Sequence, residues 1–288
     1  MTQNKNLKLG IPKGRMFEGI RRLFAEAGCP FAEPGRNYRV ETSLEGISSK
    51  LLKPQSIVEM LSAGRRDLGF AGADWVVELN ADLVELLDTG LDHVSIVAAA
   101  PEALLVEGRL PRRELVVASE YARLTRQWME RTNVRGRFLR SWGATEVLPP
   151  EDADCIVDNT ATGSTLRANR LSVVDTLMTS STRLYANPRT MDDPSARDRV
   201  EALVLVLRSV LDARKRVMLE LNVSADRLDA VLSLLPAMRR PTLSRLQGDA
   251  GSAVKAAVPK SGLASLIPTL RKAGASDIVV SRIDQIVA

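Results

Sequence analysis

The sequence is poor in the residues that most often carry metal and nucleophilic chemistry. It holds one histidine, His93, and two cysteines, Cys29 and Cys155, in 288 residues. With a single imidazole, a histidine-built zinc site and a Ser-His-Asp triad are both poorly supported. The cysteines lie far apart without metal-ligand spacing, so they read as buried thiols in a reducing cytoplasm rather than as a disulfide. Aromatic residues make up 4% of the chain and only five are Phe, which is few for stacking bases along a nucleic acid. No apolar run approaches the roughly 20 residues of a membrane span; Ile96–Ala100 and Val204–Leu207, the longest, read as core. The opening MTQNKNLKLGIPKGRM has no apolar block before a small-residue cleavage site, so nothing there points to secretion. Neither nucleic acid nor membrane is expected as a partner.

What is present is a globular composition, 45% hydrophobic and 26% charged, long enough for about two or three domains. The net charge of +5 comes from 40 Lys and Arg scattered along the chain. Such an excess suits a polyanionic small molecule.

The most informative stretch is Asp154 to Asn169, DCIVDNTATGSTLRAN. Cys155, Ile156 and Val157 suit a buried strand, which Asp158 is expected to end. Asn159, Thr160, Ala161, Thr162, Gly163, Ser164 and Thr165 then form a loop of small residues, and Leu166 and Ala168 restart a helical pattern. A strand, a tight loop and a helix start bring backbone N–H groups together around an anion. Gly163 allows close approach, and the hydroxyls of Thr160, Thr162, Ser164 and Thr165 can donate to phosphate oxygens. Asp158 would repel a phosphate at contact range, so it suits a sugar diol. The stretch therefore reads as a site for a phosphorylated ribose, against the plainer alternative of a Thr-rich strand–turn–helix.

Elsewhere, Leu7, Leu9 and Ile11 alternate as a strand that ends at Pro12-Lys13-Gly14-Arg15. A helix follows on Phe17, Ile20, Leu23, Phe24 and Ala27 and stops at Gly28. This puts Lys13 and Arg15 at the carboxyl end of a strand, where ligands bind in open α/β sheets. Surface cations at loop starts are common, and the pair equally suits pyrophosphate. A helix is expected from Pro54 through Leu61, a strand over Asp67–Ala71, then a turn at Gly72-Ala73-Asp74 into a short helix. Leu115–Ser119 and Phe138–Ser141 read as strands around a helix facing inward with Tyr121, Leu124 and Trp128. Strands alternating with helices imply a largely parallel, doubly wound sheet. Val173–Met178 and Arg183–Ala186 read as extended segments separated at Thr179-Ser180-Ser181-Thr182, His93 as lying before a strand, and Pro194–Leu211 as a long helix. The last 75 residues, about a quarter of the chain, read strand, helix, strand, strand, helix, strand, the order of a ferredoxin-like sandwich.

With these pieces placed, the whole sequence resembles the ATP phosphoribosyltransferases of histidine biosynthesis, in their long form. Thr162, Gly163, Thr165 and Leu166 are similar to the family's PRPP-binding signature, and Pro12–Arg15, Asp67–Gly72 and Ser181–Leu184 to other family segments. The resemblance implies an α/β fold: a two-lobed catalytic part like a type 2 periplasmic binding protein, plus a C-terminal ferredoxin-like (ACT-like) βαββαβ domain. It places lobe one in residues 1–95 and 185–212, lobe two in 96–184 and a regulatory domain in 213–288. It implies that N1 of the ATP adenine displaces pyrophosphate from C1 of PRPP. Glu146 and Asp158 would hold the ribose hydroxyls, Asp158 to Thr165 would form the PRPP loop, and Lys13 and Arg15 would neutralise phosphates. Mg²⁺ would arrive on PRPP or ATP, with no protein residue assigned as a metal ligand. L-histidine would act at the C-terminal domain of a dimer-based cytoplasmic hexamer. Three departures stand out: Asn159 replaces a branched apolar residue, the segment between Glu146 and Asp158 is one residue short, and Arg240 replaces a serine before Pro241-Thr242. The matching acidic position falls at Glu220 or Asn222. The rival from another class is a two-lobed small-molecule binding or sensor protein without catalysis; a catalytically silent subunit is a third.

Overall fold

The computed structural model describes residues 6–32 and 38–287, apart from the side chain of Asp249. The sequence reading of positions 1–5 lies outside these residues. The described chain divides into two compact units, residues 1–22 with 29–201 and residues 23–28 with 202–288.

In the first unit the strands and helices run β1 (Leu7–Pro12), α1 (Arg15–Glu26, its end in the second unit), β2 (Arg39–Val40), β3 (Ile47–Leu52), α2 (Pro54–Ser62), β4 (Leu68–Gly72) and α3 (Ala73–Glu78). Then come β5 (Val84–Pro101), β6 (Leu115–Ser119), α4 (Ala122–Thr132), β7 (Gly136–Arg140), β8 (Cys155–Thr160), α5 (Ser164–Ala168), β9 (Leu171–Ala186), α6 (Pro188–Asp192) and α7 (Pro194–Arg214), which enters the second unit. The strands form one nine-stranded sheet in the order β2-β3-β1-β4-β9-β5-β8-β6-β7.

Each half of this sheet has a parallel core, β1 pairing with β3 and β4, and β6 with β7 and β8, while the short edge strand β2 pairs antiparallel with β3. The middle is not. β4–β9, β9–β5 and β5–β8 all pair antiparallel, which corrects the expectation of a largely parallel sheet. The cause is that β9 runs unbroken over 16 residues, through Thr179–Thr182, where the sequence suggested a separation. Hydroxyl-rich runs resemble turns, but here carboxylates from α3 and β5 satisfy three of the hydroxyls: Ser180 donates to Asp74, Ser181 to Asp88 and Thr182 to Asp92. His93 likewise lies inside β5 rather than before a strand.

Apolar side chains line both faces of the sheet. Leu9, Ile11, Leu68 and Phe70 are wholly buried in the half that carries β1 and β4, as are Ile96, Val117, Ile156 and Val157 in the other. Each such side chain contributes roughly 1.5–3 kcal/mol of burial free energy. Cys29 and Cys155 are both buried free thiols. Burial pushes Cys155 up to about 12, so it is inert at neutral pH.

The second unit holds β10 (Arg216–Val223), α8 (Leu228–Leu234), β11 (Thr242–Arg245), β12 (Ser252–Pro259), α9 (Leu263–Lys272) and β13 (Ser276–Arg282). Its antiparallel sheet is ordered β11-β12-β10-β13, the arrangement that a βαββαβ order produces when each helix crosses one strand. Val217, Leu219, Leu221 and Val223 alternate inward along β10 and pack with Val231, Val254, Val258 and Leu270. No helix among the described residues is long and apolar enough to cross a membrane.

Candidate active site

The site forms where β8 outruns its neighbour. On one side β8 pairs with β6 only as far as Val157, opposite Ser119. On the other side it continues against β5, with Asp158 opposite Val97, Asn159 opposite Ile96 and Thr160 opposite Ser95. Asp158 therefore does not end the strand, as the sequence suggested; it lies within it. The continued antiparallel ladder to β5 decides this, and on the β6 side Asp158 to Thr160 have no strand partner.

Asp158 sits among other acids. Its pKa is pushed up to about 6, first by burial and then by the charges of Glu146 and Glu120, against the N–H of Asn159 and the hydroxyl of Thr145, which pull it down. Glu146 is presented by a single 3-10 turn, Thr145–Val147, and buried Thr145 shares a hydrogen bond of 2.8 Å with Ser141. The structure thus brings Glu146 and Asp158 into one electrostatic group despite the shortened segment between them.

The small-residue loop follows directly. Gly163 adopts φ 72° and is the N-cap of α5, a left-handed conformation that favours glycine. Thr160 Oγ1 accepts from the Gly163 N–H at 3.0 Å, and Thr162 Oγ1 donates to Ser164 Oγ at 3.0 Å. Ala161, Thr162, Ser164 and Thr165 are exposed. The Arg167 guanidinium folds back over the loop, so that a Cβ at Gly163 would lie 2.9 Å from it. The five-residue α5 contributes less dipole than a long helix, so the polar groups that the segment offers are mainly the loop's own hydroxyls and N–H groups.

Residues read only as packing or turn positions complete the site. Tyr121, buried at the N-cap of α4, donates to Asp74 Oδ2 at 2.8 Å, and Ser180 donates to Asp74 Oδ1 at 2.6 Å. Asn159 Nδ2 reaches both Tyr121 Oη, at 3.3 Å, and Asp158 Oδ1, at 3.2 Å. The Trp75 ring stacks on Tyr121 with centroids 4.7 Å apart. Burial, then the charge of Asp74, raises the Tyr121 phenol far above its ordinary value, so it remains a donor. The one sequence signal for Asp74 was its place just after a strand-ending Gly72-Ala73 turn. Nothing local marked Tyr121 or Ser180.

Lys13 and Arg15 flank Gly14, at φ 81°, where β1 passes into α1. Both are exposed, and Lys13 Nζ lies 5.9 Å from the centre of the Tyr38 ring. Because β1 and β4 are parallel neighbours, Lys13 emerges on the same carboxyl edge as Asp74. No hydrogen bond or ion pair among the described residues joins Lys13 or Arg15 to the Asp158 group.

In the C-terminal unit, Lys255 of β12 stands opposite both Glu220 and Thr242, and its Nζ pairs with Glu220 at 2.6 Å. Glu220 and Thr242 so share one cross-strand row. Arg240 is exposed outside the strands, and Asn222 bonds Asp277 at 3.0 Å. Among the described residues no cluster of three or more His, Cys, Asp or Glu could hold a metal ion.

Comparison with known proteins shows the family. The chain matches the HisG family, ATP phosphoribosyltransferase, over residues 53–209. It matches the HisG C-terminal domain over residues 213–285. Relatives named ATP phosphoribosyltransferase align end to end. The one from Chlorobium luteolum is 35% identical over 291 residues, 99% of each chain; that from Prosthecochloris aestuarii is 35% identical over all of both. The one from Solibacter usitatus is 36% identical over 98% of this chain and 99% of its own. A solved ATP phosphoribosyl transferase (HisG:HisZ) complex from Thermotoga maritima contains a chain 26% identical, with a TM-score of 0.64, covering 72% of this chain and 98% of that one. The chain belongs to the ATP phosphoribosyltransferase family, pentosyltransferases of histidine biosynthesis.

Proposed function

We propose that this chain joins ATP to PRPP, N1 of the adenine displacing pyrophosphate from C1 of the ribose, and that the Asp158–Thr165 segment is where PRPP binds. The observation that carries this reading is the adjacency of two unlike surfaces on one strand end. The Asp158 and Glu146 carboxylates accept from the ribose 2- and 3-hydroxyls. A few residues on, the N–H and hydroxyl groups of Thr160 to Thr165, with Asn159 and Ala161 in the loop's wall, suit the 5-phosphate. Lys13 and Arg15, where β1 passes into α1, neutralise pyrophosphate or the ATP triphosphate.

Bond breaking at C1 places positive charge on the ribose and negative charge on the departing pyrophosphate. Rate enhancement then comes from alignment of the two substrates and from fixed charges aimed at the leaving group. No protein nucleophile is required, which suits a chain with a single exposed histidine. Mg²⁺ enters on the substrate phosphates, since it keeps waters and phosphate oxygens as ligands and the two carboxylates alone form no cage. In this reading residues 1–95 and 185–212 make one lobe, 96–184 the other, and 213–288 a regulatory domain in a dimer-based cytoplasmic hexamer. The row of Glu220 and Thr242, with Arg240 nearby in sequence, is where L-histidine would act.

The test is to incubate the purified chain with ATP, PRPP and Mg²⁺ and follow the absorbance of an N1-substituted adenine, with and without histidine. Product is expected. Tight binding of both substrates without product would instead favour a binding protein.

A further inference from the structure

Asn159 occupies a position that packing alone does not explain. It is exposed, yet its amide nitrogen lies within hydrogen-bond distance of two groups at once, Asp158 Oδ1 at 3.2 Å and Tyr121 Oη at 3.3 Å. The direction of both bonds follows from the partners. Asp158, when ionised, only accepts. Tyr121 already spends its one proton on Asp74, at 2.8 Å, so its oxygen can only accept from a further neighbour. The side-chain oxygen of Asn159 would satisfy neither; the NH₂ satisfies both, which settles the amide orientation. A directed chain results: the Asn159 amide donates to Tyr121, Tyr121 donates to Asp74, and Ser180 donates to the other oxygen of Asp74 at 2.6 Å. The second amide proton and the Asn159 backbone N–H, at 2.7 Å, both converge on the same oxygen of Asp158.

We propose that Asn159 is a positioning residue: its amide ties one oxygen of Asp158 to the Tyr121–Asp74 pair, leaving the other oxygen directed at the substrate ribose. This rests on the assignment of Asp158 to PRPP made above. The groups facing Asp158 are Glu146 and Glu120, which oppose its ionisation, and the Thr145 hydroxyl and Asn159 N–H, which favour it. Val97, its partner on β5, is apolar. Beyond Asn159 stand Tyr121 and Asp74. Among these, the amide is the donor that links the Asp158 carboxylate to Tyr121. A branched apolar side chain could not replace it.

The experiment titrates the Asp158 carboxyl by ¹³C NMR in the full chain without substrate, its signal identified by loss in Asp158→Asn. The same pH series is then used for kcat/KM with PRPP. In the wild type a midpoint well above the ordinary carboxylate value is expected, because burial and the neighbouring acids push the carboxyl up to about 6. Asn159→Val removes a hydrogen bond to a charged group, so its midpoint should move up by about one pH unit. Asn159→Asp, which adds a like charge, should move it further. Tyr121→Phe, which takes away the amide's other anchor, should move it the same way by less. The acid limb of kcat/KM should follow each shift. An Asp158 midpoint that stays within about 0.2 unit of wild type in both Asn159→Val and Tyr121→Phe overturns the proposal. If instead the carboxyl shifts while the kcat/KM limb does not move, the tether stands and the assignment of Asp158 to PRPP fails.

Discussion

Glu78 offers the sharpest test of how α3 and α4 are joined in the first unit. Helix α4 begins at Tyr121 without a side-chain cap of its own. Its first N–H groups point instead at the Glu78 carboxylate from α3: Arg123 N lies 3.0 Å from both oxygens and Leu124 N 3.0 Å from one. Glu78 is only 7% exposed, so water cannot readily substitute. Glu78→Ala strips the cap and leaves both N–H groups without their acceptor. Loss of an N-cap costs about 0.5–2 kcal/mol, and hydrogen bonds to a charged group about 1.5–3 kcal/mol. The carboxylate's own desolvation, relieved by the change, offsets part of this. A net loss of about 2–3 kcal/mol is expected, or roughly 4–12 °C in Tm for a unit of this size. Glu78→Gln keeps an acceptor oxygen and should lose about half as much. Hydrogen exchange at the Arg123 and Leu124 amides reads the bond directly, and both should lose protection in Glu78→Ala. Unchanged exchange at those amides, with a Tm within about 1 °C of wild type, would refute the reasoning.

Asp158→Asn should lower turnover by on the order of 10²-fold or more, while raising stability. Its folded pKa of about 6 lies above the ordinary 3.8, so the folded state keeps the proton longer than the unfolded chain. The resulting penalty grows as pH rises through that window and is full above it; the amide removes it, for a gain on the order of 1–3 kcal/mol at pH 7 in denaturant titration. No gain at pH 7 would contradict the burial of this carboxylate. Lys13→Ala should cost on the order of 10²-fold in kcat with Tm unchanged, since the side chain is exposed; wild-type turnover would remove Lys13 from the mechanism. At Gly136 the backbone holds φ 143°, and an added Cβ would overlap the Leu115 carbonyl of β6. Gly136→Ala should destabilise by about 1–3 kcal/mol, and an unaltered urea midpoint would show that β7 does not pair there as closely.

The elements whose register depends on neighbouring residues were legible from periodicity. The alternation of Leu7, Leu9 and Ile11 is β1, the Pro54-to-Leu61 pattern is α2, and the βαββαβ order of the last quarter became the four-stranded sheet. The strand–loop–helix at Cys155–Ala168 was readable for the same reason: glycine at a left-handed position and hydroxyls at a helix start are local preferences. The Thr179–Thr182 run misled because four adjacent hydroxyl residues satisfy a turn as readily as a strand. Only the carboxylates of Asp88 and Asp92 on β5 and of Asp74 on α3 decide between them.

By itself, then, the chain's amino-acid order determined the family and the strand, small-residue loop and short helix at Cys155–Ala168, each a feature of residues close in sequence or of a recognisable signature. The tertiary structure alone decided that β5 and β9 run through the centre of the sheet, that β8 continues past Asp158, and that Asp74, Tyr121 and Asn159 form one hydrogen-bonded chain. Asp74 and Tyr121 are 47 positions apart and Tyr121 and Asn159 are 38 apart. Contacts over such separations exist only once strand order has been chosen, and strand order is set by the burial of the whole sheet rather than by any segment of it.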